Sequence, residues 1–145
     1  MGVTTAMCTS FKGELLGGTH DLDTNTIKLA LIKSGESGTY GAATTNYSDV
    51  TGNSDEASGT NYSTGGNTLS SATISTSGTT AILDFADTTF SNATVSASGA
   101  IIYNSSQSNK AIAVISFGGT VASTAGDFTV SFPAADASNA IIRIA

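Results

Sequence analysis

Residues 100–117 read AIIYNSSQSNKAIAVISF, two apolar runs separated by a short polar segment. Both runs are almost continuously apolar, which is typical of strands that are covered on both faces of a sheet. The residues between them, 105–109, are the small polar types that favour tight turns. We therefore predict an antiparallel hairpin in the middle of a β-sheet.

Alternating patterns predict further strands on both sides of this hairpin. The clearest lies at 128–132, where Phe128, Val130 and Phe132 are separated by Thr129 and Ser131. Similar but less regular patterns occupy residues 27–32, 81–85 and 141–144, and a weaker one occupies 68–75.

Glycine and proline divide these strands from one another. Gly118-Gly119 and Gly126 are predicted to bracket a connection, and Pro133 to close the strand at 128–132, since proline cannot donate to a β-ladder. Short strands at this spacing predict an all-β fold, an antiparallel β-sandwich or a barrel-like domain. A length of 145 residues fits a single domain spanning 1–145.

Residues 1–18 follow a helical period instead. The apolar side chains recur three or four residues apart, at Met7, Cys8, Phe11, Leu15 and Leu16. Thr4 or Thr5 is expected to cap this helix, and Gly17-Gly18 to end it. A helix of about ten residues is not stable alone, so it must pack on its own sheet or on a neighbouring subunit. Phe11 and Leu15 are therefore candidate interface residues.

Residues 34–66 form a long segment with no regular pattern, rich in Gly, Ser and Thr and containing Tyr40, Tyr47 and Tyr62. Loops of this length are seldom idle connections. Tyrosine supplies a large contact area at modest entropic cost, as it does in binding loops. Two interpretations stay open: the tyrosines contact a partner, or they hold the loop against its own domain.

The composition argues against catalysis. The chain has one His, one Cys, no Trp and only 11% charged residues, whereas nearly a third of its residues are Ser or Thr. Its net charge is −6 and its five basic residues are scattered, so we expect no nucleic-acid binding. Apolar runs stay well below the roughly 20 residues of a membrane span, so no membrane partner is expected. We predict that the protein is not an enzyme.

The few reactive side chains form no recognisable site. His20 precedes Asp21, but no Gly-x-Ser-x-Gly nucleophile elbow accompanies them. Asp21 and Asp23 match the start of a calcium loop, yet Thr26 and Ile32 stand where that loop needs Gly and Glu. We predict no catalytic residue, no cofactor and no metal site, and calcium binding by loop acids such as Asp49, Asp55 and Glu56 stays an open alternative.

Several segments together resemble a known group of proteins. They are MCTSFK at 7–12 with LL at 15–16 and His20, GTNYSTGGNTL at 59–69, DFADTT at 84–89, GAIIYN at 99–104, NKA at 109–111 with FG at 117–118, FTV at 128–130 with FP at 132–133, and NAIIRI at 139–144. As a set they resemble small structural proteins of tailed bacteriophages. The resemblance covers most of the chain and spares residues 34–58.

The resemblance implies a protein of the virion, assembled in the host cytoplasm, with no enzymatic activity. The favoured placement is a capsid decoration or cement protein that binds the major capsid protein as a homo-oligomer, most naturally a trimer. A tail, collar or fibre-associated adaptor is the alternative. A glycan-binding adhesion module, with Tyr40, Tyr47 and Tyr62 stacking on sugar rings, is a third.

Overall fold

A long hairpin forms the centre of the fold in the computed structural model, which describes residues 2–145. Its strands, Thr88–Asn104 and Lys110–Val130, are joined by a 3₁₀ turn at Ser105–Gln107. In that turn the Asn104 side chain accepts a hydrogen bond from the Ser106 N–H at 3.1 Å. Ser108 and Asn109 adopt left-handed backbone conformations, which small polar residues tolerate better than most. The predicted hairpin is confirmed.

Ten strands and two helices make up the described chain. In chain order they are β1 (Gly2–Val3), β2 (Ala6–Met7), α1 (Thr9–Leu16), β3 (Ile27–Lys33), β4 (Thr39–Tyr40), α2 (Ser48–Gly52), β5 (Asn67–Thr68), β6 (Thr73–Ser77), β7 (Thr80–Asp84), β8 (Thr88–Asn104), β9 (Lys110–Val130) and β10 (Ile142–Ile144). The predicted all-β fold class with a short N-terminal helix is confirmed.

The strands form three sheets. The largest has the order β2-β9-β8-β3-β5, and the second has the order β10-β7-β6; the paired strands of both are antiparallel. A short parallel pair joins β1 to β4. One buried apolar cluster contains side chains of both larger sheets, among them Leu29, Ile101, Ile112, Leu83 and Ile142. The core therefore ties the two sheets together.

Strands β8 and β9 are much longer than the sequence predicted. Gly118, Gly119 and Gly126 lie inside β9, so the predicted connection between them is wrong. The pairing steps from Gly99↔Ser116 to Ala97↔Val121, which leaves three extra residues on β9. Gly118 has a φ of 76°, a conformation that glycine adopts at little cost. Glycine here shifts the register of the strand without ending it.

The weak strand predicted at 68–75 is also corrected. The structure divides it into β5 and β6, which belong to different sheets. Ser71, between them, has a φ of 56°, a turn conformation that interrupts an extended chain.

Helix α1 matches its prediction except at its start. Cys8 occupies the N-cap position with no side-chain cap, and Thr5 instead accepts a hydrogen bond from the Ser116 N–H at 2.9 Å. The predicted threonine cap is therefore wrong. At the other end the Gly17 N–H donates to the Gly13 carbonyl at 3.1 Å, and Gly18 adopts a left-handed φ of 77°.

Candidate interaction surface

Glu56, within the loop at residues 34–66, accepts the hydrogen bonds that hold this loop in place. Its carboxylate accepts hydrogen bonds from the Tyr47 hydroxyl, from the Tyr62 hydroxyl at 2.8 Å and from the Gly65 N–H at 2.6 Å. The Tyr62 hydroxyl also accepts a bond from the Leu31 N–H of β3 at 2.9 Å. Burial, and then the Glu56 carboxylate, raise the pKa of Tyr47, so its hydroxyl keeps its proton and donates it. These two tyrosines thus fix the loop to the sheet.

Asp55 anchors the other half of the loop and is fully buried. It accepts bonds from the Tyr40 hydroxyl at 2.6 Å and from the Gly38 N–H at 2.8 Å, and the Lys33 ammonium lies 3.3 Å away. Burial alone raises the pKa of Asp55, but bonds from Tyr40, from the Ser37 and Gly38 N–H groups and from Lys33 outweigh it. The net result is a pKa well below the usual range. Asp55 therefore stabilises the fold of the first half of the loop.

This geometry decides between the two interpretations of the loop tyrosines. Tyr40 is only 1% exposed, so it is not available to a partner, which corrects its assignment as an interface candidate. Tyr47 and Tyr62 are half-buried, with their hydroxyls bound inside the protein and their rings packed on Tyr103 and Phe90. The three tyrosines therefore hold the loop, and they offer little surface for stacking on sugar rings.

His20 serves a similar internal purpose. Its Nε2 lies 3.1 Å from Glu14 Oε1, and its Nδ1 lies 3.0 Å from the Asn104 side-chain nitrogen. Glu14 can only accept and the Asn104 amide nitrogen can only donate, so the proton is assigned to Nε2. Both ring nitrogens are thus occupied within the chain. The Phe11 ring packs against this imidazole with centroids 5.0 Å apart and is fully buried, so Phe11 is not an interface residue either.

The remaining reactive groups stay apart. Within residues 2–145, no three His, Cys, Asp or Glu side chains converge as a metal site would require. Asp49, one of the possible calcium ligands, accepts a bond from the Thr45 N–H at 2.8 Å, while Asp55 and Glu56 bind the donors described above. Burial raises the pKa of the Cys8 thiol to about 12, which keeps it protonated and a poor nucleophile.

One face of the three-stranded sheet is apolar, with a buried centre and exposed margins. Ile74, Leu83 and Ile142 lie opposite one another across β6, β7 and β10, and Ala81 pairs with Ile144 two residues along. Directly paired residues, and those two apart, share one face of a sheet. Leu83 and Ile142 are buried at the centre of that face, but Ile74 is 56% exposed and Ile144 48% exposed at its margins.

The end of helix α1 extends this apolar face. Leu15 lines a cavity of about 170 Å³ together with Ile74, Ala81 and Ile144, and it lines a neighbouring groove of about 360 Å³ with Leu16 and Ile144. Leu16 is 91% exposed, more than any other large apolar side chain of residues 2–145. We call the continuous surface of Leu15, Leu16, Ile74, Ala81 and Ile144 the apolar patch. Of the interface candidates predicted from the sequence, Leu15 alone lies in it.

Sequence reasoning missed most of the apolar patch. The sequence predicts that Leu16 belongs to the helix, but its exposure depends on which face of α1 meets the sheet. It also predicts that Ile74 and Ile144 lie in strands, yet their position at the margin follows from the order of the strands. Open apolar surfaces of this kind mark contact sites when they are contiguous.

Comparisons with family models, with curated proteins and with solved structures gave no match for this chain. Among the helices of residues 2–145, none is both long enough and apolar enough to cross a membrane.

Proposed function

We propose that this protein is a structural component of a bacteriophage particle, bound to its neighbours through the apolar patch. The observation that carries the proposal is the exposure of Leu16, Ile74 and Ile144 on one continuous surface. Burying a leucine or isoleucine side chain contributes roughly 1.5–3 kcal/mol, so exposing three of them favours association. The resemblance of the sequence to small phage structural proteins supports the same conclusion.

The hydrogen bonds of the ionisable side chains also support a structural function for the protein. Asp55, Glu56 and His20 are all engaged in bonds that hold loops or turns. A general acid or base needs a group within reach of a substrate, and these groups are occupied by protein donors and acceptors. We therefore propose that the protein works without catalysis.

Capsid decoration is the placement we favour. A stable interface buries about 1,200–2,000 Å² in total, which exceeds what a handful of side chains provides. A symmetric homo-oligomer, such as a trimer, would present the apolar patch several times and gain affinity through avidity. Binding across the seams between major capsid proteins would stabilise the shell by mass action, by about 2.7 kcal/mol per site at a free concentration of 100 Kd.

The number of copies per particle tests this proposal. Quantitative mass spectrometry of purified particles should give a copy number that matches the capsid lattice, and particles without the protein should release their genome at a lower temperature. A copy number that matches a single ring would favour the tail or collar alternative. Absence of the protein from purified particles would reject a structural role in the virion.

A further inference from the structure

A cleft bordered by strands β2 and β10 lies beside the apolar patch. Its volume is about 450 Å³, and its lining includes Ala6 and Met7 of β2 and Ile141 and Arg143 at the C-terminal strand. β10 is an edge strand of the three-stranded sheet. The outer side of β2 is instead flanked by residues 40–42, because the Thr4 N–H donates to the Tyr40 carbonyl at 2.9 Å and the Thr9 N–H donates to the Ala42 carbonyl at 2.8 Å. The open edge beside this cleft is therefore that of β10.

The cleft continues into the groove at the end of α1, since Met7 and Arg143 line both. This groove of about 360 Å³ combines Leu15, Leu16 and Ile144 with the cationic side chains of Lys12 and Arg143. Both cations are exposed, and the ion pairs in residues 2–145 involve His20, Lys33 and Lys110 instead. Asp136 lies close enough to Arg143 to feel its charge, but its carboxylate is bonded mainly to Asn139 and to the Ser138 N–H.

We propose that this cleft binds an extended segment of a different protein, one that alternates apolar and acidic side chains and adds a strand to the open edge of β10. Adjacent residues of a strand point to opposite faces, so Arg143 and Ile144 present a cation on one face and an apolar side chain on the other. A strand paired with β10 matches both faces when an acidic residue stands opposite Arg143 and an apolar residue opposite Ile144.

The charge of the whole protein makes this match selective. With a net charge of −6, most of its surface repels an acidic segment, whereas the exposed cations Lys12 and Arg143 beside the groove attract it locally. Arg143 also donates one hydrogen bond to the Ala137 carbonyl at 3.2 Å, which leaves its other N–H groups free of side-chain partners among residues 2–145. Main-chain hydrogen bonds along an open edge supply affinity, and the alternate side chains supply specificity.

A second copy of the chain does not offer such a segment. Outside its helices, the segments of residues 2–145 that join an acid to the large apolar residue after it are Asp21-Leu22-Asp23, which lies in a turn, Asp84-Phe85 and Asp127-Phe128. In each of them the apolar side chain is buried, with exposures of 8%, 3% and 4% for Leu22, Phe85 and Phe128. The occupant is therefore a different protein, and its identity as another virion protein rests on the proposed function.

A labelled hexapeptide, acetyl-Glu-Val-Glu-Val-Glu-Val-amide, tests the cleft without any virus particle. Fluorescence anisotropy with the full chain should show saturable binding, and the same peptide with lysine in place of glutamate should bind more weakly. Two further peptides carry methyl groups on alternate backbone nitrogens, one peptide for each of the two alternate sets. One of these two peptides should not bind, because its methyl groups block the hydrogen bonds to the strand edge. The pair Lys12→Gln and Arg143→Gln together should weaken binding about two- to tenfold, whereas Lys28→Gln, a cation outside the groove, should not.

Three results would overturn the proposal: no saturable binding up to about 1 mM peptide, equal binding of the lysine peptide, or binding of both methylated peptides. In purified particles, a photo-crosslinking residue in place of Ile144 should attach to an acidic and apolar segment of another virion protein. Attachment to a second copy would overturn the choice of partner. Absence of the protein from particles would reject the proposed function. The peptide experiment would still test whether the cleft binds an acidic and apolar strand.

Discussion

The ring of Tyr47 lies flat on the ring of Tyr103, with centroids 4.4 Å apart and planes within 5°. Tyr47 belongs to the long loop, whereas Tyr103 is on β8 in the centre of the large sheet. The Tyr103 hydroxyl donates to the Gly65 carbonyl at 2.6 Å, and Gly65 in turn donates to Glu56. Through its ring and its hydroxyl, Tyr103 thus connects the middle of the loop and its C-terminal end to the core.

Two substitutions of Tyr47 distinguish the contribution of its ring to stability from that of its hydroxyl. We expect Tyr47→Phe to lower the free energy of unfolding by about 1 kcal/mol, because Glu56 loses one donor. Tyr47→Ala should cost about 2–4 kcal/mol, because the stacked contact is lost as well. Urea-induced unfolding measures both. Unchanged stability of Tyr47→Ala, combined with loss of particle binding, would show that this tyrosine contacts a partner after all.

Asp55 should make stability depend on acid. Its pKa is lowered in the folded protein, so the unfolded chain takes up the proton first as the pH falls. The stabilisation is complete above the unfolded pKa of about 3.9 and is lost as the pH falls towards the folded value. Urea midpoints between pH 7 and pH 2 should decline below about pH 4. Asp55→Asn should be less stable at pH 7 by about 2–4 kcal/mol and should show a flatter decline.

Tyr40→Phe is the matched control for that experiment. It keeps the Asp55 charge and removes one donor, so the acid-dependent part of stability should shrink without disappearing. An acid decline that is identical in all three proteins would assign the effect to other carboxylates.

Two glycines should respond in opposite directions to alanine. Gly66 has a φ of 77°, and a Cβ there would collide with the Leu29 carbonyl oxygen of β3. Gly66→Ala should therefore lower the free energy of unfolding by about 2 kcal/mol or more. Gly13 lies within α1 with open space around it, so Gly13→Ala should stabilise by about 0.5–1 kcal/mol. Thermal unfolding of both variants checks the pair. A neutral Gly66→Ala would mean that the loop can move away from β3.

Leu16→Ser should separate binding from folding. Leu16 is 91% exposed, so its free energy of unfolding should change by less than about 0.5 kcal/mol. Incorporation into particles should fall, because the apolar patch loses its most exposed member. Val121→Ser is the control, since Val121 is 44% exposed on β9 and lies outside the patch. Equal effects of the two substitutions on incorporation would argue against the patch.

The sequence predicted the strands best where their apolar residues are large. Residues 100–117 contain Ile, Val and Phe, and their hairpin was correctly placed. The half of β8 at 88–98 was missed because Ala93, Val95 and Ala97 are small and their alternation with Ser and Thr resembles a loop. The Gly118-Gly119 pair predicts a break in the strand, since one sequence does not show that β8 and β9 can stay paired after a shift in register.

The candidate site was harder to predict, for a different physical reason. Whether Tyr62 contacts a partner or Glu56 depends on how the loop folds back, which local pattern does not encode. Likewise, the period of α1 identified Phe11 and Leu15 as one apolar stripe, yet only the packed structure shows that Phe11 is buried and Leu16 is not. Exposure of an apolar residue is a property of the assembled sheets.

The bond from Ser116 to Thr5 joins residues 111 positions apart in the chain. During synthesis on the ribosome, residues 2–7 therefore wait for most of the chain to emerge before β2 can join β9. Long-range pairing of this kind slows folding to the range of milliseconds to seconds. The nascent N-terminal segment is meanwhile exposed to chaperones, and its docking is expected to be among the last steps of maturation.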